Sequence, residues 1–83
     1  MQLVYFASVR ETIGTSEEAY PLPSGISTVQ ELITHLRARD DNYALAFENT
    51  LMLRVAVNQM HVQPDHPLKD TDEVAFFPPV TGG

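Results

Sequence analysis

Ser27-Thr28-Val29-Gln30-Glu31-Leu32-Ile33-Thr34-His35-Leu36 is the stretch on which the fold turns. It holds two overlapping capping boxes, Ser27 with Gln30 and Thr28 with Glu31, which satisfy the first free amides of a helix. Val29, Leu32, Ile33 and Leu36 then recur at helical spacing and form one apolar stripe. Arg37 and Arg39 suit the negative end of the helix dipole, and the helix should stop near Asp40. His35 lies one step off the stripe and should face solvent.

Strands flank this helix. Gln2 to Ala7 is rich in strand formers with apolar residues on both parities, as expected of a strand covered on both faces. Val9 to Gly14 suits a short helical turn ended by glycine. Glu17 to Leu22 reads as a second strand closed by Pro21 and Pro23, antiparallel to the first. Past the helix, Tyr43 to Phe47 suits a shorter helix and Leu51 to Val57 a strong strand. Asn58-Gln59 reads as a tight turn, Met60 to Val62 as a short returning strand, and Pro64 to Pro67 as a turn. Lys69 to Asp72 is polar loop, and Glu73 to Phe77 the last strand.

Two strands, one amphipathic helix and further short strands predict an α+β domain. A β-grasp arrangement fits: a mixed sheet crossed by one main helix, with the last strand central beside the first. That parallel pairing comes from the template, not from periodicity. Phe6 has the opposite parity to Leu3 and Tyr5, and Phe77 the opposite parity to Val74 and Phe76. One helix covers one face, so Phe6 and Phe77 should lie together on the helix-free face.

With 83 residues and 43% apolar content the chain supports a single domain, 1–83, with one core. There is no apolar run long enough to span a bilayer and no signal-peptide pattern, so the expected location is cytoplasmic. Cysteine is absent, which excludes disulfides, thiol nucleophiles, Cys-based metal sites and a persulfide carrier. A net charge of −6 argues against nucleic acid and favours a basic protein partner or simple solubility.

The sequence closes on Phe76-Phe77-Pro78-Pro79-Val80-Thr81-Gly82-Gly83. The prolines end the ladder. From Val80 to Gly83 a flexible tail can reach about 13 Å at about 3.3 Å per residue. Gly82 and Gly83 leave the terminal carboxylate unhindered, able to enter a narrow channel in another protein.

Arg54 to Gln59, Asp65 to Asp70 and Asp72 to Gly83, with Phe6 to Glu11 and Gly14-Thr15 at the start, closely resemble the small, sulfur-carrier subunits of molybdopterin synthase, a ubiquitin-like family. The resemblance covers essentially the whole chain, is most specific in the tail, and is mainly one of pattern from Leu22 to Met52. It implies a β-grasp carrier whose functional tail is 78–83. A ubiquitin-activating-type adenylyltransferase would use ATP to adenylate the Gly83 carboxylate, and a sulfurtransferase donor would then displace AMP to leave a thiocarboxylate. The tail, Val80 to Gly83, would enter the large subunit of the synthase and give its sulfur to cyclic pyranopterin monophosphate, one of two needed for the dithiolene of the molybdenum cofactor. Phe6, Phe77, Pro78 and Pro79 would contact that large subunit in a heterotetramer. The resemblance assigns the carrier no cofactor, metal or catalytic side chain, so its only reactive group would be the Gly83 terminus. His61 follows the hairpin turn where related chains tend to carry an apolar residue.

Three other functions compete: a sulfur carrier for thiamin thiazole synthesis, a ubiquitin-like modifier joined to lysines through Gly83, and an interaction domain with an inert tail. The Phe-Phe-Pro-Pro-Val stretch and the chain length speak against the first. His35, His61 and His66 are too scattered for a metal site. Asp65, Asp70, Asp72 and Glu73 lack calcium-loop spacing and read as a solvated acidic loop, where Lys69 could form an ion pair. Met52 and Met60 read as core or interface filler.

Overall fold

In the computed structural model, which describes residues 1–48 and 52–78, one capping box forms at the start of the main helix. Thr28 Oγ1 accepts the Glu31 amide at 3.2 Å, and the Glu31 carboxylate accepts the Thr28 amide at 3.1 Å. The same carboxylate takes the Ser27 amide at 2.9 Å, so one acid serves both candidate caps. These bonds, led by those from Ser27, hold Glu31 below the usual carboxylate range. Gln30 turns along the helix instead, toward Thr34.

The elements in chain order are β1 (Gln2–Tyr5), α1 (Ala7–Ile13), β2 (Glu17–Ala19), α2 (Val29–Arg37), α3 (Asp41–Ala46), β3 (Arg54–Val57), β4 (Met60–His61) and β5 (Glu73–Phe77). Gly14 ends α1 in the left-handed region at φ 96°. α2 stops at Arg37, short of Asp40, because Asp40 caps the next helix: its carboxylate accepts the amides of Asn42 and Tyr43. Arg39 lies beyond the last turn of α2 and does not serve its dipole.

The sheet runs β2-β1-β5-β3-β4. β1 and β5 are parallel and central, with Leu3 beside Val74 and Tyr5 beside Phe76, as the β-grasp arrangement requires. β2 is shorter than Glu17–Leu22 because the Leu22 amide donates to Asp70 Oδ1 at 2.8 Å instead of extending the ladder. β3 begins only at Arg54; Met52 and Leu53 lie outside it, and Leu51 is outside the described residues. The Asn58-Gln59 turn has φ 51° and 69°, the double positive φ of a two-residue hairpin. No glycine is present, but asparagine tolerates this region. The Asn58 side chain also pins the turn, donating to Asp72 at 2.9 Å and accepting the Glu73 amide at 3.0 Å.

The core lies between the sheet and the helices. Leu3, Tyr5, Val74, Phe76, Val55 and Val57 meet Val29, Leu32, Ile33 and Leu36 of α2, joined by Phe47, Tyr43, Val9 and Leu68. Each large apolar side chain buried this way contributes about 1.5–3 kcal/mol. No helix among the described residues is long and apolar enough to cross a membrane.

Several side chains depart from expectation. Asp72 is buried rather than solvated; burial works to raise its pKa, but the bonds from Asn58 and the Lys69 amide outweigh that and hold it below the usual range. Lys69 thus meets Asp72 through its backbone, and its ammonium makes no ion pair with a described residue. His35 is half-buried, with Nε2 2.8 Å from the Tyr20 hydroxyl. Met52 and Met60 are exposed, not core.

Candidate docking face and tail base

Alternation along the two central strands delivers the candidate site. β1 carries Leu3 and Tyr5 into the core, which turns Val4 to the opposite face. The parallel ladder continues one residue past β1, where the Phe6 amide donates to the Phe76 carbonyl at 3.1 Å. Phe6 is extended (φ −121°, ψ 152°), and Ala7 then turns the chain sharply at φ 52°. The Phe6 carbonyl accepts the amides of Val9 and Arg10, so the start of α1 fixes the backbone beneath its ring.

Phe6 and Phe77 meet edge to face, with ring centroids 6.4 Å apart and planes at 83°. Phe6 is 48% exposed, whereas Phe76, its neighbour on the other parity, is 0% exposed. The structure therefore brings together the two aromatics expected on the helix-free face. His61 joins them, its ring edge-on to Phe77 at 5.4 Å. Between them the sheet surface is shallow, because Ala56 and Ala75 face each other across β3 and β5.

Arg54 also belongs to this face. It pairs with Phe77 in the antiparallel register and is exposed. Its placement depends on long-range register, so local pattern does not single it out. Pro78, half-buried, leads from β5 and lines a recess of about 200 Å³ with Val9, Thr12, Leu45 and Met52. Pro79, Val80, Thr81, Gly82 and Gly83 lie outside the described residues.

The other polar concentration lies on the far side of the sheet. Glu18 Oε2 accepts the hydroxyls of Tyr5 at 2.8 Å and Tyr43 at 2.6 Å, while Oε1 accepts Arg39 at 2.9 Å. The Arg39 guanidinium lies 4.9 Å from the Tyr20 ring centre and 4.7 Å from that of Tyr43. Burial tends to raise the Glu18 pKa, but the bonds from Tyr43, Arg39 and Tyr5 outweigh it, leaving the acid below its usual range. Burial, then the bond to Glu18, pushes Tyr43 up to about 12 and raises Tyr5 further. Every group is paired and the network opens into no cleft shared with the tail base, so its arrangement suits stability. No group of His, Asp and Glu among the described residues could hold a metal ion.

A ubiquitin-like β-grasp domain with an aromatic docking face beside its last strand is the class that these features define. Residues 3–83 match the ThiS family, and the chain belongs to it. The molybdopterin synthase sulfur carrier subunit of Escherichia coli is 49% identical over all of this chain and 99% of that protein. A solved structure from Pyrococcus furiosus, described as molybdopterin converting factor subunit 1, is 33% identical with a TM-score of 0.75, over 95% of each chain. SAMP1 from Haloferax volcanii superposes with a TM-score of 0.74 over 100% of this chain and 98% of its own; at 24% identity it speaks to the fold alone.

Proposed function

We propose that this protein is the sulfur-carrier subunit of a molybdopterin synthase and works through its Gly83 carboxylate in the cytoplasm. The full-length 49% identity to a sulfur carrier subunit carries this reading; the exposed Phe6–Phe77 pair at the foot of the tail supports it.

A carboxylate is a poor acyl donor because its charge is delocalised and its leaving group is oxide. Adenylation by an ATP-using partner, with loss of pyrophosphate, supplies AMP as a leaving group. A sulfurtransferase then delivers sulfur at the acyl carbon, AMP departs with the original oxygen, and a thiocarboxylate remains. Bound to the large subunit through Phe6, Phe77, Pro78 and Pro79, the carrier presents that sulfur to cyclic pyranopterin monophosphate. Water restores the carboxylate as the sulfur leaves. ATP belongs to the activating partner, and acid–base groups to the partners.

The test is intact mass after incubation with ATP, the activating enzyme and a sulfurtransferase. The expected gain equals exchange of one oxygen for sulfur, absent when Gly83 is deleted, and the product then converts the pterin precursor when the large subunit is added. Appending one residue after Gly83 should abolish both. A fully active extended protein would overturn the assignment of the terminal carboxylate.

A further inference from the structure

The helix-free face is not uniformly apolar, and its polar members fall on one side. Following the ladder pairings, one row crosses the sheet as Glu17, Val4, Ala75, Ala56 and His61. The row nearest the tail holds Phe6, Phe77 and Arg54. Arg54 and His61 thus bracket Phe77 on the β3–β4 side. The acids on this face, Glu17 and Glu73, sit elsewhere: Glu17 on the outermost strand β2, and Glu73 at the far end of β5 beyond Ala75.

This polarity runs against the composition. The chain has eleven Asp and Glu against five Lys and Arg. One of those five is placed beside the exposed aromatic pair, with a histidine across from it. Both side chains are exposed, and neither forms an ion pair with a described residue. Arg39 shows the alternative, fully engaged with Glu18 and two tyrosine rings. The Arg54 guanidinium offers a fork that matches a carboxylate, and an imidazole presents at least one N–H donor in either protonation state.

We propose that the partner surface seated on this face joins an apolar recess for Phe6 and Phe77 to an Asp or Glu carboxylate set against Arg54 and His61. This rests on the proposed function, which supplies the large subunit as the occupant. Aromatic burial gives the contact its strength, while the charge pair sets orientation and selects among partners of the same fold. The acidic character of the rest of the chain then repels a partner docked the other way round.

The experiment measures association of the full chain with its large subunit across a salt series, for wild type, Arg54→Leu, Arg54→Lys and His61→Leu, with circular dichroism confirming each fold. Wild type should associate more slowly as salt rises. Arg54→Leu should lower the low-salt association rate about tenfold and flatten the salt dependence, Arg54→Lys should retain most of both, and His61→Leu should fall between. Equal rates for wild type and Arg54→Leu at every salt concentration would overturn the charge pairing while leaving the carrier function standing. Concentration-dependent dimers of the carrier that block the large subunit would assign the face to a second copy and also overturn it. A wild-type chain that does not bind the large subunit at all would remove the functional reading and this inference with it.

Discussion

Phe76 and Phe77 are adjacent, chemically identical and on one strand, yet they do opposite work. Phe76 is fully buried, with its ring centre 5.9 Å from that of Tyr5 and 5.0 Å from that of Phe47. Phe77 meets only the rims of Phe6 and His61 on the open face. A strand sends successive side chains to opposite faces, so one residue step separates holding the domain together from meeting another molecule. A small protein can therefore keep a sizeable aromatic docking surface without weakening its core.

The sharpest way to break this contrast is to truncate each ring in turn. Phe76→Ala should cost about 3–5 kcal/mol, because a buried aromatic leaves a cavity that its surroundings fill only in part. Phe77→Ala should change stability by no more than about 1 kcal/mol, in the range of surface substitutions, yet weaken binding to the large subunit. Denaturant unfolding and a binding titration on the same two proteins check this. Equal destabilisation by the two would mean that both faces are core.

A smaller effect is expected on the closed side. Glu18→Gln removes an acceptor oxygen from a carboxylate that serves Tyr5, Tyr43 and Arg39, at a cost of about 1–3 kcal/mol. The pH dependence follows in sign. The folded pKa values of Glu18 and Asp72 lie below their unfolded ones, so their stabilisation is present above the ordinary carboxylate range and is lost as pH falls through the folded values. Unfolding midpoints should drop on acidification below about pH 4, and less steeply in Glu18→Gln. Partner affinity at neutral pH should not change in this variant. The smallest effect is that of Thr28→Ala, about 1 kcal/mol for a lost N-cap, which urea unfolding should report with docking unaltered.

The two faces differ in how openly the sequence displays them. The α2 stripe, the Thr28–Glu31 box, the last strand and the Phe6–Phe77 pairing rest on local spacing and parity, and they are legible. The Glu18 network is not, because its members come from β1, β2, α3 and the link after α2; Arg39 reads locally as a partner for the helix dipole. Asp72 reads as solvated until Asn58, 14 residues away, closes over it. The short extent of β2 depends likewise on a loop acid, Asp70, that sequence proximity does not bring near Leu22. Arg54 joins the docking face only through register with β5. Long-range pairing is the common reason.

The place of β5 in the sheet has one more consequence. β1 and β2 form one pair and β3 and β4 another, and β5 is the sole strand that touches both. A chain synthesised only as far as Pro67 would hold two strand pairs with no shared neighbour, and such pairs are marginal on their own in water. The last strand made is thus the keystone. Folding is withheld until residues 73–77 exist, and the step that completes the domain is the same step that sets Phe77 beside Phe6. An incomplete copy cannot pose as a competent one, because it has neither a finished sheet nor an assembled face with which to occupy a partner.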